Sequence, residues 1–124
     1  MKLPILFKLT VPPFRAYTQC SDRIDTTYRI TKVTVRFPPD TDFQVGVGFW
    51  VSEDPDVSAD TEPTGWNIFK RFTTQKLVYG EDETVEVPVQ HDVTRRDTWV
   101  KMYVKNDTER EVKILGKVEV EVEE

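Results

Sequence analysis

His91 is the single histidine of this 124-residue chain, so any histidine-based triad or metal cluster would have to be built on it. A Ser-His-Asp arrangement would draw its nucleophile from Ser21, Ser52 or Ser58. None of them sits in the G-x-S-x-G context that exposes a serine on a strained turn. His91 comes just after a strand-like run, next to Asp92, and that position predicts a turn cap. Cys20 stands alone, which rules out an internal disulfide and any multi-cysteine metal site. It has no histidine at a recognised spacing and is expected to pack as a small apolar residue. Asp54, Asp56, Asp60 and Glu62 offer the hard oxygen ligands that calcium takes, but their spacing departs from the EF-hand pattern and no glycine supports a tight wrap. A solvated loop is the expectation there. The chain is therefore expected to have no catalytic residue, no cofactor and no metal.

Recognition chemistry has more to work with. Trp50 and Trp99 are out of phase with the apolar sets of their own strands and are expected to point away from the main core. Three fates are open to such rings: packing under loops or against glycines, burial between subunits, or stacking on sugar rings. Aromatics are enriched in interface cores, and a tryptophan face suits a pyranose, so Trp50, Trp66 and Trp99 form the sugar-stacking set. The interface set is Ile5, Leu6, Phe7 and Leu9 with Trp50 and Trp99. The first four belong to an apolar N-terminal strand, residues 1–13, joined to the body by Pro12–Pro13. That strand completes its own sheet or adds to a neighbour's, and the second outcome would build an oligomer.

Strands dominate the elements that must position these residues. Ile5–Val11 ends at two prolines that cannot donate to a ladder. Thr26–Phe37 is β-branched and aromatic, with a phase slip between Ile30 and Val33 that predicts a bulge. In "FQVGVGFWV", Phe43, Val45, Val47, Phe49 and Val51 share a phase, and Gly46 and Gly48 invite a bulky neighbour on the other face. Ser52–Gly65 is one long polar loop. Trp66, Ile68, Phe69, Phe72, Leu77 and Val78 mark one or two further strands. Val85, Val87 and Val89 alternate cleanly, with Pro88 suggesting an edge.

The closing stretch predicts a hairpin around "NDTER", with Val104 opposite Val112, Met102 opposite Ile114, Lys105 opposite Glu111 and Trp99 opposite Lys117. Val118, Val120 and Val122 alternate with Glu119, Glu121 and Glu123, giving one dry and one wet face. "SDRIDTT" has room for a single helical turn. Seven or eight such strands without helices predict an all-β, single-domain antiparallel β-sandwich over residues 14–124. A small β-barrel is the alternative.

Length fits one domain, and seven Phe, four Tyr and three Trp with many Val and Ile supply a core. A net charge of −5 argues against general affinity for nucleic acid, because "FKRF" and "TRRD" are small and flanked by acids. No apolar run approaches a membrane span, and Pro4–Phe7 is too short for a secretory core. A soluble protein, cytoplasmic unless externally assembled, is expected. Abundant Lys and Glu with few Asn, Gln, Cys and Met is a bias of heat-stable proteins.

From Tyr28 onward the layout resembles small jelly-roll-like virion proteins of phages and viruses. The resemblance is carried by "YRITKVTVRFPPDTDFQVGVGFWV", then "VEVPV", then "WVKMYVKNDTEREVKILGKVEVEV". In the proteins it is similar to, "FPPG" precedes a hydrophobic strand; here Asp40 takes the glycine's place. The resemblance implies a jelly-roll-like structural subunit that forms a shell or decorates a capsid surface, self-associating or docking on it, and it brings no catalytic residues.

Overall fold

In the computed structural model, which describes residues 1–69 and 75–122, alternation of small β-branched and polar residues produces nine strands. They are β1 (Lys2–Val11), β2 (Ala16–Cys20), β3 (Tyr28–Phe37), β4 (Val45–Ser52), β5 (Trp66–Asn67), β6 (Val78–Tyr79), β7 (Glu83–Val93), β8 (Trp99–Asn106) and β9 (Val112–Val122). One sheet runs β1-β9-β3-β7. The other runs β2-β8-β4, and β5 and β6 share the far edge of β4. Every pairing is antiparallel. The pairs nest, β1 with β9, β2 with β8, β3 with β7, and β4 with β5 and β6. A long hairpin rolled over itself in this way is a jelly roll. The two sheets face each other as a sandwich and do not close into a barrel.

The bulge falls where the phase slip predicts it, between Ile30 and Lys32, on both sides of β3. It lets Ile30 and Val33 both point inward, each fully buried. Pro88 lies on the edge strand β7, where its missing N–H costs no ladder bond.

The predicted terminal hairpin is corrected. β8 and β9 belong to opposite sheets, so Val104 lies beside Tyr17 and Val47, and Ile114 beside Leu9. Trp99 pairs with Ser52, and Lys117 pairs with Leu6 and Thr34 in the other sheet. Lys105 likewise pairs with Ala16 and Gly46 rather than with Glu111. Period-two alternation specifies which face is dry and is silent about which neighbour supplies the hydrogen bonds. Val104, Val112, Met102 and Ile114 are all buried as expected, facing one another across the sandwich.

Asn106 holds the arch that makes the crossing. Its Nδ2 donates to the carbonyls of Val11, Pro12 and Arg110 at 3.2, 3.1 and 2.7 Å. Its Oδ1 accepts from the backbone N and Oγ1 of Thr108 at 2.9 and 2.6 Å.

Three further expectations are corrected. Phe43 is 59% exposed and precedes β4, because its left-handed backbone (φ 57°) breaks the strand phase. His91 lies inside β7 opposite Ile30, since pairing with β3 carries that strand on to Val93. "SDRIDTT" forms no helical turn; Ile24 bridges to Thr98 instead. Phe72, Lys70, Arg71 and Glu123 lie outside the described residues.

At the centre, Phe49 from β4 meets Phe7 edge-on at 5.8 Å and Phe69 at 5.9 Å. It reaches across to Gly116 of β9, where an added Cβ would stand 2.5 Å from Met102 Sδ and 3.2 Å from the Phe49 ring. Gly116→Val is expected to cost about 2 kcal/mol by overpacking. In a Met102→Ala background the added cost should shrink, because the sulfur that stands nearest the added Cβ is gone. Urea melts of the four proteins in this cycle check it, and strict additivity would show that the two residues do not meet.

Candidate functional site

The outer face of β4 is covered. Its inward residues are Val45, Val47, Phe49 and Val51, yet Gly46, Gly48, Trp50 and Ser52 on the other side are buried as well. Leu77 and Tyr79 lie against Gly46, and Leu77 and the Trp50 ring lie against Gly48, at separations where a Cβ would clash. Trp50 stands edge-on to Tyr103 at 5.7 Å and is 4% exposed, so its ring is used within the chain. Trp99 is half-buried at the start of β8. Trp66, on the short edge strand β5, is 64% exposed. In β1, Phe7 is buried and Ile5 and Leu9 pack partly on the same core, while Leu6 faces out at 70% exposure.

The long acidic loop is stapled to the sheet by a buried cation. Lys101 projects from the middle of β8 and is fully buried. Its Nζ donates to Asp54 Oδ1 at 2.9 Å and to the Asp56 carbonyl at 2.6 Å. Ser52 Oγ and Thr64 Oγ1 also donate to Asp54 Oδ2, at 3.1 and 2.7 Å. The Lys101 bond, then the Thr64 bond, hold the Asp54 carboxyl well below the usual carboxylate range. The neighbouring acids are matched in the same way: Asp60 with Arg15, Glu62 with Lys76, and Glu53 with Arg95. These carboxylates turn toward cations rather than toward one another. Among the described residues, no cluster of three His, Cys, Asp or Glu side chains suits a metal ion.

His91 lines an open cleft of about 850 Å³ together with Trp66, Asn67, Glu62, Arg95 and Ser52. Ser52 Oγ spends its proton on Asp54, which is already committed to Lys101. Burial pushes the Cys20 thiol up, away from the reactive thiolate. Ser21 Oγ donates to the Asp22 carbonyl and accepts from the Val100 N–H, a structural pair of bonds.

A different region stands out from the residues upward, at the end of the sandwich where the β1–β2, β3–β4, β6–β7 and β8–β9 connections meet. Asn106 N donates to the Arg15 carbonyl at 2.9 Å, and Asp107 N to the Gln44 carbonyl at 3.1 Å. Asp82 N donates to the Pro38 carbonyl. The β3–β4 connection holds three non-glycine residues in the left-handed region: Asp40 (φ 69°), Asp42 (φ 47°) and Phe43 (φ 57°). Asp40 thus keeps the backbone that a glycine would favour, and aspartate tolerates it better than most side chains. Glu81 fixes the loop by accepting from Asp40 N at 3.1 Å and from Asp42 N at 2.7 Å. Thr41, fully buried, donates to the Gly80 carbonyl at 2.6 Å.

The outcome is Phe43 held out in water, with Phe14 (65% exposed, also φ 57°) on the adjoining β1–β2 connection. Left-handed backbone costs an ordinary residue about 1–2 kcal/mol. This end places two phenylalanines in that state and leaves both rings wet. Around them stand Asp42, Glu81, Glu83, Asp107, Glu109 and Glu111, carboxylates without an ion pair among the described residues. Sequence reasoning missed the site because Phe43 shares the β4 phase and Phe14 sits beside two prolines. The run of turn residues "PPDTD" was the available signal.

No family model and no curated sequence matches the chain. Among solved structures it is similar to a chain of broad bean stain virus, at 8% identity and TM-score 0.44, over all of this chain and 86% of that one. A chain from Bacillus endospore appendages, described as disulfide-linked pili, aligns at 11% identity and TM-score 0.39, over 99% and 88%. A chain of infectious bursal disease virus, Gx strain, aligns at 9% and 0.38, over 95% of this chain and 32% of that one. Likenesses at this level carry no functional weight.

The Asp54 staple predicts an acid limb. A carboxyl whose folded value is depressed contributes stability above its unfolded value, near 3.8, and loses that contribution as pH falls below it. Between pH 6 and pH 2.5 the wild-type melting temperature should therefore fall more steeply than that of Asp54→Asn, which starts lower because Lys101 is left buried without its carboxylate. Thermal scans by circular dichroism check this, and parallel curves would refute it.

Proposed function

We propose that this chain is a non-enzymatic structural subunit, a jelly roll that self-associates or docks on a larger assembly such as a virion shell or its decoration. The carrying observation is the acidic end with Phe14 and Phe43 in left-handed backbone, both rings exposed. Strain that points apolar rings at water has no benefit for an isolated monomer, whereas aromatic side chains anchor interfaces when they enter a partner's pocket. The polar groups best suited to chemistry are already engaged: Ser52 with Asp54, and Asp54 with Lys101. On this reading the protein is soluble and is carried in the particle that it helps to build.

One observation favours a second reading. Trp66 presents an exposed ring beside Asn67, Glu62 and Arg95 in the open cleft, the layout of a carbohydrate-binding module. Trp50 cannot share that task because both of its faces are covered. Quenching of tryptophan fluorescence by soluble glycans, lost in Trp66→Ala, would support the module; silence across a broad panel removes it.

For the structural reading, sedimentation velocity over a wide concentration range should show mass rising above the monomer. Phe14→Gly with Phe43→Gly should weaken that association at least about tenfold and leave the melting temperature equal or higher, because glycine relieves the left-handed backbone. A wild-type chain that stays monomeric at every concentration, with no capsid-type surface holding it, overturns the proposal.

A further inference from the structure

We propose that the partner of this acidic, phenylalanine-tipped end is a surface carried by the same chain: the basic, leucine-bearing flank of β1 and β9 on a second copy. The inference rests on the self-association reading and specifies which two surfaces meet.

The flank follows from register. On the outer face of the four-stranded sheet, Lys8 lies opposite Leu115, Thr10 opposite Lys113, and Leu6 opposite Lys117. Arg36 of β3 pairs with Leu115 from the other side. Leu6 is 70% exposed and Leu115 45%, at positions where a strand with one wet face should carry polar residues. They form an apolar centre ringed by four cations. Arg36 is matched by Asp82 and Lys117 by Glu119, but Lys8 and Lys113 form no ion pair among the described residues. Those two are diagonal neighbours, and Lys8 pushes the Lys113 ammonium below its ordinary value. Two like charges held side by side repel each other, and an incoming carboxylate relieves both.

The end has the complementary make-up: two wet phenylalanines, with Asp107, Glu109 and Glu111 on the adjoining connection. Rings onto leucines and carboxylates onto ammonium groups would satisfy both surfaces in one contact. The net charge of −5 makes a positive flank a local exception on this chain, so a second copy brings its attraction there and repels elsewhere. The two surfaces differ, so the contact is heterologous and repeats into a ring or a filament.

A charge exchange tests it on the full chain. A flank variant carries Lys8→Glu and Lys113→Glu. An end variant carries Asp107→Lys and Glu109→Lys. A third carries all four changes and so keeps the net charge of −5. All four side chains changed are exposed, and melting temperatures confirm folding. In sedimentation velocity at low salt, each two-residue variant alone should associate at least about tenfold more weakly than wild type. An equimolar mixture of the two should assemble again with the variants alternating, since each surface meets its opposite on the other variant, and the four-residue variant should assemble alone. If wild type assembles but the mixture and the four-residue variant stay monomeric, the pairing of these surfaces is wrong and self-association stands. If the single-surface variants assemble like wild type, the pairing is again wrong. A wild-type monomer throughout removes the underlying reading as well.

Discussion

The seating of Phe49 against Gly116 is the constraint on which this sandwich depends. A ring from the middle of one sheet needs a notch in the other, and the absent side chain at Gly116 supplies it. Phe7 and Phe69 then close on the ring edge-on, the arrangement that aromatic quadrupoles favour. Ile68, fully buried, is fixed beside the ring by donating its N–H to the Phe49 carbonyl at 2.9 Å. Both faces of β4 are buried, so the strand serves as the floor for two layers at once. Gly46 and Gly48 give the second layer room to approach.

That second layer decides which surfaces remain for partners. Leu77 and Tyr79 lie over Gly46 and Gly48 on the outside of the five-stranded sheet, and Lys101 anchors the loop at Asp54 and Asp56 from beneath. A lone buried ammonium would be costly, and Asp54 with the Asp56 carbonyl removes that cost where they meet it. The outer side of the other sheet and the end near Asn106 are left open. Both combine charge with exposed apolar side chains: Leu6 and Leu115 on the sheet, Phe14 and Phe43 at the end. The two phenylalanines held in left-handed backbone, Phe14 and Phe43, both lie at the end that such a subunit would use for contact, beside a fully hydrogen-bonded Asn106 and a buried Thr41.

Much of the fold was legible in the chain because burial and alternation are tied to backbone geometry. Val45–Val51, Val85–Val89 and Val118–Val120 each announced their dry face, and the slip at Ile30 announced its bulge. The empty side of Gly46 and Gly48 announced a close neighbour. The partner of each strand was not legible. Val104 and Val112 are alternating apolar residues on either side of a turn, and such a pattern fits side-by-side pairing as well as facing across a core. The candidate site was hidden for a related reason: Phe43 has the identity of a core residue and the phase of β4. Only its φ angle takes it out of the strand. Trp50 was correctly placed off the main core, but the segment covering it comes from more than twenty-five residues downstream, and no local pattern reports that.

The nesting of β1 with β9 also bears on how the chain comes to its shape during synthesis. β9 sits between β1 and β3 and is made after both, so until it emerges β1 has no strand to bond with and β3 has an open side. The apolar stretch of β1 must wait, with its backbone wet, for a segment far downstream. An interval of that kind is when a molecular chaperone, or the strand of another nascent copy, would find its opening.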